Sequence, residues 1–126
     1  MLGTGDREQA TQQEGMQRMT SKEPGGHVPP KGVQQVGQRA VRWIEDGRAG
    51  RNFTDVGRNR AHQLANGESL SDDDVKKMKS YFARHTVDKD AKGFKQGGDG
   101  FPSPGRVAWD AWGGDEGERW VRGIDV

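Results

Sequence analysis

The sequence predicts an all-α fold: a small bundle of about four to five short helices with Gly-rich loops, preceded by an extended N-terminal arm. Three observations predict it. Apolar residues recur at helical spacing in several short stretches, and no stretch alternates apolar with polar residues as a half-buried strand would. Serine or threonine stands just before such stretches, where a helix needs a side-chain oxygen for its first unpaired N–H groups. Only 29% of the 126 residues are hydrophobic while 31% are charged and 20 are glycine, so a core has to come from a few large side chains. The division is an arm over residues 1–32 and a helical domain over 33–126.

The arm, "MLGTGDREQATQQEGMQRMTSKEPGGHVPPK" and the residue after it, carries four acidic and four basic side chains and little to bury. Such a composition cannot offset an ordering entropy of about 1–2 kcal/mol per residue. Pro24, Gly25, Gly26, Pro29 and Pro30 oppose regular structure. What the arm does hold is a set of spaced apolar anchors for a partner: Met1, Leu2, Met16, Met19 and Val28. Residues 9–20 form a helix around Met16 and Met19 only if a partner offers a groove. Fully extended, the arm reaches on the order of 100 Å.

From Val33 onward the elements can be taken in order. Val33, Val36, Ala40, Trp43 and Ile44 mark a first helix ending near Gly47. Thr54 is the N-cap of a second that stops at Asn66-Gly67. Ser71 caps a third, with Asp72, Asp73 and Asp74 at the positive end of its dipole. Its apolar stripe is Val75, Met78, Phe82 and His85, leaving Lys76, Lys77, Lys79 and Arg84 mostly outward as a basic contact face. Ser103 before Pro104 starts a fourth helix that runs to Trp112 and halts at Gly113-Gly114. Asp115, with Glu118 three residues on, is the expected capping box of the last. The predicted core is Trp43, Phe82, Trp109, Trp112 and Trp120, since each large aromatic buries some 150–250 Å².

Charge and motif content narrow the function classes. The formal net charge of +1 argues against a protein whose main affinity is a broad field for nucleic acid. Without cysteine there is no disulfide, thiolate zinc site or cysteine nucleophile. No apolar run approaches membrane-spanning length and no secretory leader is evident, so a cytoplasmic site of assembly is expected and no membrane partner. Asp88, Asp90, Gly93 and Asp99 fall at positions one, three, six and twelve of a calcium loop, but Lys92 occupies position five, where an oxygen ligand is required. Neither a metal nor any other cofactor is expected. With no nucleophile elbow, HExxH or phosphate-cradling loop, the reading is not an enzyme.

Between Lys76 and Lys95 seven cations face two acids, and the helix pair joined by "NGES" also fits a helix-turn-helix. Its acidic start stands where phosphates would have to go, so nucleic-acid binding is expected to be weak or absent and the run reads as a solvated face. Residues 110–125 hold five acids against two cations, and a chain basic in its middle and acidic at its end suits contact with other copies of itself or with an assembly carrying both signs.

The stretches Arg60 to Gly67 (RAHQLANG), Ser80 to Lys89 (SYFARHTVDK) and Phe101 to Asp115 (FPSPGRVAWDAWGGD) together resemble a small module of tailed-bacteriophage and prophage proteins. The likeness spans about half the chain and leaves the arm outside. It implies a virion or head-assembly role without choosing among a minor capsid or decoration protein on the major capsid protein, a nucleic-acid-binding head protein and an accessory to a maturation enzyme. An arm attached to a compact domain favours the first, located in the virion. The likeness implies no catalytic residue.

Overall fold

The computed structural model describes residues 26–126, and these fold as an all-α body. The helices are α1 (Lys31–Glu45), α2 (Asp55–Ala65), α3 (Asp72–His85), α4 (Pro104–Ala111) and α5 (Gly114–Arg122), with a 3₁₀ turn at Thr86–Asp90 after α3. α1 lies across α2, α4 and α5, while α3 packs on α5. Met1, Leu2, Met16 and Met19 lie outside the described residues.

Three helix starts follow the capping chemistry. The Thr54 hydroxyl accepts from the Gly57 N–H, and the Ser103 hydroxyl accepts from the Arg106 N–H ahead of Pro104. At Ser71 the cap is reciprocal: its hydroxyl accepts from the Asp74 N–H while the Asp74 carboxylate accepts from the Ser71 N–H. The fifth start differs from expectation. α5 begins at Gly114, with Gly113 at its N-cap position and no side-chain cap, so Asp115 lies inside the first turn. Gly113 and Gly114 have φ of 120° and 64°, a backbone that side-chain-bearing residues rarely adopt. This lets the helix restart within two residues of α4. Asp115 is then drawn elsewhere, accepting from the Trp109 indole N–H at 3.0 Å and pairing with Lys89 at 3.1 Å. Glu118 faces Arg122 at 3.6 Å instead of reaching back.

The larger core cluster contains Phe82 and Trp109 together with Leu64, Leu70, Val75, Met78, Tyr81, Phe94 and Val121. Trp109 is 1% exposed, and Phe82 and Phe94 meet it edge-on at ring distances of 4.9 and 5.9 Å. Trp112 and Trp120 are half-buried at the margin of this cluster. Trp43 is a correction: it belongs to neither core cluster and lies on the flank of α1, edge-on to Phe101 at 5.5 Å, with Arg39 over its face. The buried line of α1 runs instead through Val33, Gly37 and Ala40, where α2 comes too close for an indole.

The described part of the predicted arm is fastened to the body. His27 donates its N–H to the Leu70 carbonyl (2.8 Å) and accepts from the Leu70 N–H (2.7 Å). Its Nε2 lies 2.7 Å from the Asp72 carboxylate. Pro29 is fully buried, whereas Val28 remains 58% exposed.

Candidate functional site on the third helix

α3 buries Val75, Met78, Tyr81 and Phe82, and this face fixes the direction of every other side chain on the helix. Lys76, Lys77, Ser80 and Arg84 fall on the opposite side and line a shallow groove of about 480 Å³, closed by Val56 of α2 and the edge of Trp112. Lys76, Lys77 and Arg84 make no ion pair among the described residues. Val56 is 57% exposed, a large apolar side chain beside three free cations. Lys79, expected on the same face, is a correction. Two residues beyond Lys77 it points round the helix to α5 and donates to the Ile124 carbonyl, tying down the C-terminal end.

The groove is held in place by a charge that sequence reasoning did not single out. Arg60, buried on α2, donates to Gln63 (2.8 Å) and to Asp74 (3.2 Å), and its guanidinium lies over the Trp112 ring at 5.3 Å. Burial pushes the Asp74 carboxyl up, but the Arg60 charge and the Ser71 hydrogen bonds outweigh it and hold the group below the usual carboxylate range. Trp112 is also stacked on Tyr81, at 4.8 Å and 7°. Tyr81 is in turn stacked on His85 at 4.4 Å, and His85 Nδ1 lies 2.9 Å from the Asp88 carboxylate. Burial first, then the nearby Asp88 and Asp110 carboxylates, push the Tyr81 phenol well above its ordinary value.

Asp110 is a second buried charge that sequence reasoning did not single out, and it lines a hollow against α1 rather than the α3 groove. It is 1% exposed, and its carboxylate accepts from Arg39 at 3.0 and 2.7 Å and from Arg106 at 3.1 Å. Burial raises its carboxyl above the ordinary range against the opposing pull of Arg106 and Arg39. These charges ride on apolar faces. Arg60 shares the 57-60-61-64 line of α2, and Asp110 interrupts "VAWDAW" with an arginine four residues before it. A charge inside an apolar stripe at helical spacing was the signal available.

The acidic C-terminal stretch is largely committed inside the chain. Asp110, Asp115, Glu116 and Glu118 pair with Arg39 and Arg106, Lys89, Arg119 and Arg122 respectively, leaving Asp125 without an ion pair among the described residues. Among those residues no group of three or more His, Asp or Glu side chains converges in a way that could hold a metal ion. No helix of the described residues is long and apolar enough to cross a membrane. Comparison with family models, curated proteins and solved structures finds no match to this chain.

Proposed function

We propose that this chain is a structural protein of a tailed-bacteriophage virion, a minor capsid or decoration protein that docks on the shell formed by the major capsid protein. The observation that carries the reading is the division of its charges. The buried ionisable groups Asp110 and Arg60, with the half-buried Asp74, are consumed in holding short helices together, whereas Lys76, Lys77 and Arg84 make no ion pair among the described residues and stand around an exposed Val56. Such an arrangement suits adhesion to another surface rather than turnover of a small substrate. The motifs that resemble the phage module supply the particle. Many copies on one shell make a modest contact collectively strong.

The fastening at His27 sharpens the role of the N-terminal segment. Residues 26–30 belong with the body, so the portion available to reach a neighbouring subunit is residues 1–25. Deleting 1–25 is expected to leave the helical body folded, with its far-UV circular dichroism intact, and to reduce co-sedimentation with preassembled shells sharply. Equal occupancy by truncated and full-length protein overturns the segment as a docking element. Absence of the protein from purified particles, measured by quantitative mass spectrometry, overturns the virion assignment itself. A second reading, binding to nucleic acid in the head, is favoured by the same three free cations.

A further inference from the structure

We propose that the α3 groove receives an acidic, amphipathic segment of a partner protein, an apolar side chain of which seats on Val56 and the Trp112 edge while flanking carboxylates meet Lys76, Lys77 and Arg84. The inference rests on the reading of α3 as the contact face and does not depend on which particle carries the partner. Its basis is the composition of the groove. Lys77 and Arg84 are separated by two turns of helix, roughly 10 Å, with Ser80 between them and Lys76 next to Lys77 on the same groove. That places positive charge at both ends of a patch that also carries the exposed Val56 and the half-buried Trp112. Apolar centres with polar rims are how protein surfaces meet, and the rim cations set orientation and encounter rate.

Three features turn the groove away from nucleic acid. Single-stranded binding uses open aromatic faces for base stacking, but the Trp112 ring is already stacked on Tyr81 at 4.8 Å and has the Arg60 guanidinium over it at 5.3 Å. Asp73 lines the groove, and Asp72 and Asp74 stand beside it in the first turn of α3, so a phosphate chain, charged at every nucleotide, meets repulsion at that end. A peptide can instead place its carboxylates at Lys76, Lys77 and Arg84 and a neutral residue beside Asp73. The exposed Val56 gives a phosphate backbone nothing to bind. The acidic residues 110–125 of a second copy are a poor alternative occupant, because four of their five carboxylates are engaged within their own chain.

The test uses the full chain and three labelled probes at near-physiological salt, read by fluorescence anisotropy. The first is a helix-favouring peptide with glutamates one turn to either side of a single leucine. The second replaces that leucine with serine, and the third is a short DNA duplex. The leucine peptide is expected to bind about tenfold more tightly than the serine peptide, the gain of one partly buried side chain. Val56→Ser should erase that difference without changing the affinity for the serine peptide. Lys77→Glu combined with Arg84→Glu, both exposed positions, should abolish binding of both peptides while circular dichroism stays that of the parent. Equal binding of the two peptides, or tighter binding of the duplex than of either, overturns the proposal. Co-sedimentation with shells separates the two readings. If the doubly substituted protein still loads like the parent, α3 is not the docking face. If it fails to load while the peptides bind equally, the docking face stands and the acidic-segment chemistry is wrong.

Discussion

Where α1 crosses α2 the contact is built from small residues, and where α3, α4 and α5 meet it is built from rings. In the first region Gly37, Ala40 and Ala61 are buried, and a Cβ placed on Gly37 would stand 2.7 Å from the Ala65 backbone nitrogen. In the second, Tyr81, Phe82, Phe94 and Trp109 fill the space with faces and edges. A glycine inside a helix costs roughly 0.5–1 kcal/mol relative to alanine, so Gly37 is informative: its gain is close approach of two backbones. Helices of only eight to fifteen residues are marginal alone. The molecule holds them in one place by letting main chains touch and in the other by inserting side chains large enough to reach across. Trp112 packs against both clusters and joins them.

The most severe way to break this comparison is Trp109→Ala. Loss of a ring that is 1% exposed is expected to cost about 3–5 kcal/mol and to strip Asp115 of its indole donor. Most of the stability of so small a body would go with it. A melting temperature within a few degrees of the parent would show that the rings are not what secures this half. Gly37→Ala comes next. Overpacking against a backbone atom that cannot swing aside should destabilise by about 1–3 kcal/mol, exceeding the helix-propensity gain of alanine. A rise in melting temperature for this variant would mean that the two backbones are not in close contact.

Acid provides a gentler probe that distinguishes the halves. Asp74 and Asp115 have lowered carboxyls; burial opposes this, but Arg60 and Ser71, and Lys89 and Trp109, prevail. The stability they contribute is present above the ordinary carboxylate value of about 4 and is lost as pH falls through their folded values. Asp110, raised, acts in the opposite sense: its contribution is present below the ordinary value and lost as pH rises through the folded one. Acidification should therefore loosen the ring-packed half around α3 and α5 before the α1–α2 contact. Amide exchange measured residue by residue at neutral and acid pH checks this, and protection lost first in α1 and α2 would reverse the assignment.

What could be read from the sequence was mostly local. Thr54, Ser71 and Ser103 announced their helices because a cap acts over three residues. The outward set Lys76, Lys77 and Arg84 followed from the period of α3 alone. Positions decided by partners distant in the chain were not legible. Asp115 looked like a cap until Trp109 and Lys89 claimed it. Trp43 looked like core because nothing in its own helix reveals that Gly37 draws α2 too near. Lys79 looked like its neighbours because the Ile124 carbonyl that holds it lies 45 residues away. Phe94, among glycines, gave no periodic signal at all, yet it is buried against Trp109.

The fastening at His27 has a mechanical meaning. A pull applied through residue 25 does not fall first on the opening turn of α1. It meets the two backbone hydrogen bonds between His27 and Leu70, the His27–Asp72 contact and the buried ring of Pro29. Leu70 and Asp72 flank Ser71, so the load passes into the reciprocally capped start of α3. The chain thus carries a strain relief between its leading segment and its helices. Tension from outside passes first into the start of α3, and the first turn of α1 is spared from unwinding residue by residue.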